Sequence, residues 1–330
     1  MMNFCTLFDS YYMLKGISLY KSLEKVTDDF HLYVMAFDRE CYDKLKAIGF
    51  ERMTVELSDD FESPELLAVK PTRTKAEYCW TCGPSVIWYF LTKYELEDIT
   101  YLDSDLFFLK APKVVYDEIA GSSVAITEQG LSEKDAGLYG KYCVQYMYFK
   151  NDQEGRKTLK WWRDRCIEWC FQRFEDGKYG DQRYLEEFPR LSPTLRVINN
   201  PGVGIAPWNM GRYVYQGNSI LKDGIEYPFI FYHMHGISAN VKGKELQMRS
   251  NDYYFTNEQI KMFLMPYALV NKDVLNTYFK KEITSVKAYG IGKLKKWEYK
   301  LRPILRRFQF VRWAYFNLLG ITYKGHGQKF

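Results

Sequence analysis

Two aspartates separated by a single residue, Asp103 and Asp105, follow an apolar run in the stretch ITYLDSDLFFLKAP, residues 99–112. Ionised carboxylates at the edge of an apolar core are costly unless a partner compensates their charge, and two neighbouring carboxylates also repel each other. The spacing alone supports two interpretations. Asp-Ser-Asp is ordinary turn chemistry, and the same pair of carboxylates is suited to holding a divalent metal ion.

Two histidines late in the chain favour the metal interpretation. His233 and His235 lie in the apolar segment PFIFYHMHG, residues 228–236, which we predict to be a strand. If the strand persists, both side chains face the same side, so either histidine could be a ligand. Carboxylates together with an imidazole suit Mn²⁺, whereas Mg²⁺ prefers oxygen ligands. The alternative is a pair of half-buried histidines that hydrogen-bond to the backbone.

The elements that must position these residues start as an alternation of strands and helices. Apolar runs predict strands at 3–8, 30–38 and 52–58 and directly before Asp103; helical spacing predicts helices at 12–26, 39–50 and 85–94, with a break or first turn at Gly83-Pro84. This order predicts a mostly parallel sheet covered by helices. Asp9, Asp38 and Asp103 then lie at the carboxyl ends of strands, where open α/β sheets bind their ligands.

The pattern becomes mixed beyond Asp105. We predict strands at 122–127, 144–150 and 228–236, a long amphipathic helix at 152–174 and a shorter helix at 180–188. From Asn257 onward the chain is predicted to be helical and becomes basic. We therefore predict two parts: an α/β domain at residues 1–255 and a helical basic extension at residues 256–330.

Composition and charge exclude several classes of protein. Of 330 residues, 47% are apolar and 18% aromatic, which is ample for a packed core, and a net charge of +5 is too modest to indicate nucleic-acid binding. Residues 1–8 lack the basic start and continuous apolar run of a secretory signal. No stretch approaches the ~20 apolar residues that a membrane-spanning helix needs. These features predict a cytoplasmic protein.

The cysteines indicate free thiols rather than a disulfide framework, because there are seven of them, scattered along a long chain. Cys79 and Cys82 form a C-x-x-C pair, and Cys166 and Cys170 are one helical turn apart. A zinc site of four thiolates is geometrically conceivable. The pattern favours the simpler interpretation, which is two pairs of half-buried cysteines on two helices.

Three motifs in one order resemble a known enzyme family. YLDSDLFF, then GDQRYLEEFP, then HMHG are similar to the motifs of GT-A-fold glycosyltransferases, most of all to glycosyltransferase family 8, the glycogenin and lipopolysaccharide galactosyltransferase kind, and its bacterial relatives. The resemblance spans roughly residues 3 to 245. It implies a GT-A-type mixed sheet flanked by helices, a UDP-sugar donor, a bound Mn²⁺ or Mg²⁺ ion, and a transfer that usually retains anomeric configuration.

The resemblance also implies roles for individual residues. Asp103, Asp105 and His233 would hold the metal, with His235 as a competing ligand, and Asp181 with Gln182 would face the transferred sugar and the reaction centre. Donor-binding residues would be Thr6, Phe8, Asp9, Tyr12, Arg73, Lys75, Ser104, Gln145, Gly236 and Lys242. In the loop NNPGVGIAPWN, residues 199–209, Gly202 and Gly204 would allow the backbone to lie close to the donor.

Two departures from the family pattern bear on specificity. The family's H-x-x-G usually continues to Lys-Pro-Trp, but here the sequence is HMHGISANVKGK. The contact that the family's lysine makes would therefore be made by Lys242 or Lys244. The strand KYCVQYMYF carries Cys143 and Gln145 where Asn and Gly are usual, although Gln145 can still donate and accept hydrogen bonds. The lost glycine suggests a reshaped sugar or acceptor pocket.

The function that the sequence favours is transfer of a hexose from a UDP-sugar to a glycan or lipid-linked acceptor hydroxyl in surface polysaccharide synthesis. One alternative is a nucleotidyltransferase, but LFDSYYMLKG lacks the Gly-rich basic loop that such enzymes usually carry after the first strand. Another alternative is a non-catalytic sugar-nucleotide-binding protein that keeps the fold.

The segment 293–320 mixes cationic and aromatic residues, with eight Lys and Arg residues opposed only by Glu298. Two interpretations remain open. It could be a helix packed on the domain with a solvated basic side, or an interfacial segment on an anionic membrane surface. The second interpretation predicts a peripheral protein on the inner face of the cell membrane.

Overall fold

The first hundred residues alternate strands with helices, as their hydrophobic periodicity predicts. In the computed structural model, which describes residues 1–242, 245–250, 253 and 255–279, the order is β1 (Met2–Phe8), α1 (Met13–Val26), β2 (Phe30–Ala36), α2 (Arg39–Ile48), β3 (Met53–Leu57), α3 (Pro64–Val69), α4 (Lys75–Lys93) and β4 (Asp98–Leu102). Asp38 caps α2 by accepting the Cys41 N–H, and Gly49 ends that helix in the left-handed conformation.

The rest of the chain has shorter elements and longer connections. In order, these are β5 (Leu106–Phe108), α5 (Lys113–Glu118), β6 (Val124–Glu128), α6 (Glu133–Tyr139), β7 (Tyr142–Lys150), α7 (Gln153–Glu168), a 3-10 helix (Gln182–Glu187), α8 (Phe188–Leu191), β8 (Arg196–Ile198), β9 (Val214–Gln216), β10 (Ser219–Lys222), β11 (Ile225–Pro228), β12 (Phe231–His233), β13 (Ile237–Lys242), β14 (Glu245–Ser250), α9 (Asn257–Gln259), a π-helical stretch (Ile260–Leu264) and α10 (Met265–Tyr278).

Seven of these strands form a central mixed sheet in the order β3-β2-β1-β4-β7-β6-β8. The strands β1 to β4 pair in parallel, whereas β7 runs antiparallel to both β4 and β6. The strand β5, which directly follows β4 in the chain, forms a separate antiparallel pair with β12. Because β1, β2 and β4 are parallel, their carboxyl ends meet at one edge of the sheet, and Asp9, Asp38 and Asp103 lie just beyond it, as predicted.

Helices cover both faces of the sheet, and the strands are buried accordingly. Along β1, Phe4 and Phe8 pack into one hydrophobic cluster with α1 and α2, whereas Cys5 and Leu7 pack into a second cluster with α4 and α7. This alternation is the period of two that a pleated strand imposes. The predicted α/β class, a mixed sheet flanked by helices, is therefore confirmed.

Two predicted helices have different bounds in the structure. Gly83-Pro84 lies inside α4 instead of marking its start, because both residues are buried and the packing of the apolar face outweighs the missing Pro84 N–H. The long helix predicted at 152–174 ends at Glu168, and residues 180–188 form mainly a 3-10 helix. The chain between them carries a tight hairpin in which Glu175 and Lys178 pair.

The strand predicted at 228–236 is interrupted. Its first residue ends β11, β12 covers only Phe231–His233, and His235 lies in a turn beyond the strand. The cause is the short partner strand: His233 pairs with Leu106, the first residue of β5, and beyond it the partner chain is already the Asp103–Asp105 turn. The Met234 N–H donates to the Asp105 carbonyl at 2.8 Å instead of continuing a ladder.

The helical stretch after Asn257 packs on the α/β domain as far as the structure describes it. Val274 of α10 lies in the same hydrophobic cluster as Ile17 of α1. The described residues all belong to one compact unit, residues 1–284, and the division predicted at residues 255 and 256 stays a prediction. Within the described part of the chain, no helix combines the length and apolar character needed to cross a membrane.

Candidate metal and donor site

The Asp103–Asp105 pair lies in a tight turn that connects β4 to β5. The Asp103 N–H donates to the Gln145 carbonyl on β7 at 3.0 Å, and the Leu106 N–H donates to the Asp103 carbonyl at 3.1 Å. The turn interpretation is therefore confirmed. The same turn directs both carboxylates toward the end of β12, which lies beside it.

There the two carboxylates meet His233. The His233 Nε2 atom lies 3.0 Å from Asp105 Oδ1 and 3.8 Å from Asp103 Oδ2. One ligand atom from each of the three residues lies within 4.8 Å of the others. Two carboxylate oxygens and one imidazole nitrogen at this spacing fit a divalent cation. Among the residues that the structure describes, this is the only such group of three or more His, Cys, Asp or Glu side chains.

His233 is oriented from behind by Gln145. The Gln145 Oε1 atom lies 2.9 Å from His233 Nδ1, and Gln145 Nε2 donates to Thr127 Oγ1 at 3.2 Å. A partner on Nδ1 leaves Nε2 facing the carboxylates, which is the arrangement that orients metal-binding histidines. Gln145, predicted as a donor-binding residue, is fully buried here and contacts the histidine.

Two glycines of the 199–209 loop allow close packing around this group. A Cβ atom on Gly204, whose φ is +82°, would lie 2.8 Å from Gln145 Nε2, and one on Gly202 would lie 2.0 Å from the Pro228 carbonyl oxygen. We expected these glycines to make room for the donor. In the structure they make room for the protein's own Gln145 and for the strand that precedes β12.

Charges within the group shift the three ionisation equilibria in different ways. Burial would raise the pKa of Asp105, but the Lys15 ammonium and His233 hold it well below its usual range. Burial raises the pKa of Asp103 to about 6, and the charge of Asp105 adds to that effect. Burial would lower the pKa of His233, but the Asp105 carboxylate raises it to about 10. A cation bound at Nε2 would therefore displace a proton.

Two lysines neutralise the carboxylates that follow β1 and β4. Lys15 Nζ lies 3.1 Å from Asp105 Oδ2. Lys75, the first residue of α4, forms an ion pair with Asp9, and Asp9 also accepts the Tyr12 N–H at 2.9 Å. Burial lowers the pKa of Lys75, but the hydrogen bond and charge of Asp9 outweigh that effect and raise it. The structure thus brings Asp9, Tyr12 and Lys75 together at the edge of the sheet.

Asp181 and Gln182 lie at the start of the 3-10 helix, and Asp181 is close enough to Asp103 to sense its charge. The Asp181 side chain is 9% exposed, and burial, followed by the charge of Asp103, raises its pKa to about 8. Its carbonyl accepts the Trp162 indole N–H at 3.0 Å. Gln182 Nε2 donates to Gln129 Oε1 at 2.7 Å and to the Tyr139 carbonyl at 2.8 Å. The Gln182 side chain and the Asp181 backbone are therefore held in place.

The other predicted donor-binding residues are less closely gathered. Thr6 and Phe8 are buried in β1. Arg73 points elsewhere, because its guanidinium stacks on Phe171 with 3.8 Å to the ring centroid and donates to the Ile167 carbonyl at 3.3 Å. The remaining positions are Ser104 in the Asp103–Asp105 turn, Gly236 with a φ of +68° after β12, and Lys242 at the end of β13. Lys244 lies outside the described residues.

His235 does not share a strand face with His233, because the strand has ended before it. That expectation was wrong. The His235 ring is exposed and packs edge-on against Trp208, with 5.3 Å between ring centroids. Trp208 also contacts His233 at 5.2 Å and donates its indole N–H to the Gln129 carbonyl at 2.8 Å. The converging group contains His233 and not His235.

Sequence analysis missed three residues of this site: Lys15, Gln129 and Trp208. Gln129 and Trp208 lie in irregular segments, where periodicity carries no signal. Lys15 is a charged residue among apolar residues of α1, shortly after the carboxyl end of β1. Its place near the edge of the sheet where ligands bind was a weak signal that it belongs to the site.

The four cysteines considered for zinc do not converge as metal ligands. All seven cysteines of the chain are free thiols, and no cysteine joins a ligand group among the described residues. Burial raises the pKa values of Cys82 and Cys166 well above the ordinary value, which disfavours thiolates. The simpler interpretation, two pairs of half-buried cysteines on two helices, holds in part: Cys79 and Cys82 lie on α4 and Cys166 lies on α7. Cys170 lies beyond the end of α7, and only Cys79 is half-buried, since the other three are fully buried.

Two Bacillus subtilis proteins are similar to this chain in sequence. The Bacillus subtilis (strain 168) protein YfnF, which is uncharacterised, is 30% identical over 292 residues, covering 84% of this chain and 95% of YfnF. The uncharacterised YfnD of the same organism is 32% identical over 279 residues, 81% of this chain and 88% of YfnD. No family model matches the sequence.

A solved structure identifies the fold. The crystal structure of galactosyltransferase LgtC in complex with donor and acceptor sugar analogues superposes with a TM-score of 0.54, covering 82% of this chain and 96% of LgtC, at 12% sequence identity. The chain therefore has a GT-A glycosyltransferase fold that resembles family 8. At this identity the likeness establishes the fold alone.

Proposed function

This chain belongs to the family of the Bacillus subtilis proteins YfnF and YfnD, and we propose that it is a metal-dependent glycosyltransferase. The observation that carries the proposal is the convergence of Asp103, Asp105 and His233 at the carboxyl end of β4. In an open α/β sheet this edge is where ligands bind. The GT-A fold supplies the class of reaction, and the donor we propose is a UDP-hexose.

The metal-holding residues would be Asp103, Asp105 and His233, with Mn²⁺ favoured over Mg²⁺ because one ligand is an imidazole nitrogen. When bound, the ion would stabilise negative charge on the departing diphosphate. Gln145 would hold the His233 ring in the productive orientation. Asp105, whose pKa is well below its usual range, would already be ionised.

The residues around Asp9 would bind the nucleotide end of the donor. Tyr12 is exposed at the start of α1 and can present its ring to a nucleobase. Lys75 is paired with Asp9 at the N-terminus of α4, where a cation and the positive end of the helix dipole favour an anion. Ser104, Gly236 and Lys242 are proposed as further donor contacts.

Asp181 and Gln182 would face the transferred sugar. With a pKa of about 8, Asp181 is mostly protonated at neutral pH and can donate a hydrogen bond to a sugar hydroxyl. A cation bound beside Asp103 would lower that pKa and favour the carboxylate. Gln182 is fixed by Gln129 and Tyr139 and can orient the hexose. We propose retention of configuration from the resemblance to family 8.

The experiment that tests this function is release of UDP from UDP-glucose and UDP-galactose, measured with Mn²⁺ and with a chelator. Slow metal-dependent hydrolysis is expected, and Asp105→Asn should lose it. A nucleotidyltransferase would instead release pyrophosphate from UTP and a hexose 1-phosphate. A binding protein without activity would bind UDP with Mn²⁺ and release nothing from either UDP-sugar.

The acceptor is proposed to be a glycan or a lipid-linked sugar at the cytoplasmic face of the membrane. The support is the cationic and aromatic composition of residues 293–320, which lie outside the described residues. Each Lys or Arg near an anionic surface contributes on the order of 1 kcal/mol. The full chain should co-sediment with anionic vesicles at low salt, and truncation after residue 286 should prevent it while sparing UDP binding. If the full chain ignores such vesicles, a soluble acceptor is favoured.

A further inference from the structure

A lysine occupies one side of the Asp105 carboxylate. Lys15 lies in the first turn of α1, 90 residues before Asp105 in the chain, and its Nζ atom lies 3.1 Å from Asp105 Oδ2. Its side chain is 18% exposed. The other oxygen of the same carboxylate, Oδ1, faces His233. Asp105 therefore divides its two oxygens between a lysine and the metal-holding group.

The position of Lys15 is fixed by the packing of α1. A Cβ atom on Gly16 would lie 2.3 Å from the Phe8 ring, so only glycine lets the helix lie this close to the end of β1. On its other side, the Lys15 ammonium lies 4.8 Å from the centroid of the Tyr12 ring. The ammonium is thus placed between an aromatic face and a carboxylate, both next to the predicted donor site.

This arrangement has two opposite electrostatic consequences. A cation held by Asp105 Oδ1 would share its carboxylate with the Lys15 ammonium, so the two positive charges repel each other. A diphosphate bound to that cation would bring negative charge next to Lys15, so the lysine and the diphosphate attract each other. One ammonium donor is used by Asp105, which leaves donors for a phosphate oxygen, since an ammonium has three.

We propose that Lys15 couples metal binding to nucleotide binding. It weakens binding of the divalent cation alone and strengthens binding of a nucleoside diphosphate to the metal-loaded protein, by contacting a phosphate oxygen. The protein would then take up metal mainly together with its donor. This inference rests on the proposed function, because it assumes that the site binds a metal and a diphosphate.

The test is Lys15→Met, which removes the charge and keeps much of the apolar stem. Binding of Mn²⁺ alone is measured by the loss of the free-ion paramagnetic resonance signal, and binding of UDP at saturating Mn²⁺ by calorimetry. We expect Mn²⁺ alone to bind at least about threefold more tightly, since one nearby positive charge is gone. We expect UDP to bind about tenfold more weakly, since a charge-assisted hydrogen bond is lost.

The matched control is Lys21→Met. Lys21 lies on the same helix and forms an ion pair with Glu24 instead of a site residue. This variant should change neither affinity, and thermal melting of both variants checks the fold. The conservative variant Lys15→Arg should restore UDP affinity in part.

The two affinities must move in opposite directions for the proposal to stand. If Lys15→Met leaves both unchanged, or weakens both, Lys15 only supports the structure of Asp105, and the proposal is wrong. If both become tighter, Lys15 only blocks the site, and the proposal is again wrong. If the wild-type protein binds no UDP with Mn²⁺, the proposed function itself fails, which this design separates from a failure at Lys15.

Discussion

The carboxylates on the two sides of the candidate site differ in whether a cation is paired with them. On the metal side, Asp105 is paired with both Lys15 and His233, and Asp9 is paired with Lys75. On the side that we propose faces the sugar, Asp181 is as buried as Asp105 but forms no ion pair with any residue that the structure describes. The pKa of Asp105 is consequently held low, whereas burial raises that of Asp181 to about 8.

This difference suits two different roles, binding and catalysis. Carboxylates that are already ionised and paired with a cation can exchange that partner for a metal ion, which suits a site that receives a metal ion and a charged diphosphate. A buried carboxyl without a cation costs stability when it ionises, and such strained groups are typical of reaction centres. Substitutions of the paired carboxylates and of Asp181 should therefore have distinct effects on binding, turnover and stability.

The largest effect is expected on turnover from Asp181→Asn. If Asp181 faces the transferred sugar, this substitution should lower turnover by about 100-fold or more, because the carboxylate acts on the reacting sugar. The affinity for UDP with Mn²⁺ should stay normal, since the metal side is intact. Steady-state kinetics and calorimetry measure the two quantities, and Asp117→Asn on the exposed face of α5 is the control. An equal loss of UDP affinity would assign Asp181 to structure or to the metal side.

A graded effect is expected on metal affinity from the three residues around the imidazole. His233→Ala should weaken Mn²⁺ binding the most, because a ligand is removed. Gln145→Leu should weaken it by about tenfold or more, the usual cost of losing the partner that orients a ligand. His235→Ala should have little effect. Titration of Mn²⁺ by paramagnetic resonance measures the order, and a larger loss at His235 than at His233 would move the ligand assignment.

A smaller effect of opposite sign is expected on folding stability. The pKa of Asp181 is about 8 in the folded protein and 3.8 for an ordinary aspartate, so its contribution to stability is fully present below pH 3.8 and is lost as the pH rises through 8. Asp181→Asn should therefore increase the free energy of unfolding at pH 8 by on the order of 1–3 kcal/mol, and very little at pH 4. Urea unfolding at the two pH values checks this.

The same substitution would then stabilise the protein while it lowers turnover. A loss of stability at pH 8 would contradict the interpretation of Asp181 as a strained carboxyl. Asp105→Asn provides the comparison from the metal side, because it removes a charge that is already paired with Lys15 and should lower stability instead.

The first half of the fold could be predicted from sequence because its signals are local. Each strand of β1 to β4 is a short apolar run, and the helices between them repeat apolar residues at helical spacing. The Asp103–Asp105 turn and its place after β4 follow from the same pattern. The role of Asp38 as a helix cap is equally local, since it depends on the next three residues.

The later part of the site depends on contacts that no local pattern contains. The end of β12 at His233 follows from the short length of β5, its partner from a distant part of the chain. The position of Gln145 behind the histidine requires Gly204 to pass next to it. Lys15 resembles a solvated helix residue until α1 is placed against Phe8. These residues were missed or given another role because their positions in the site depend on tertiary packing.

The central claim is that Asp103, Asp105 and His233 hold a metal ion through which the protein binds a nucleoside diphosphate. The most direct measurement is calorimetric titration of UDP into the wild-type protein, Asp103→Ala and Asp105→Ala, each with Mn²⁺ and with a chelator. The account predicts that the wild type binds UDP only with Mn²⁺ and that each variant, still folded by circular dichroism, loses about 100-fold or more of that affinity. Unchanged metal-dependent UDP affinity in both variants would contradict it.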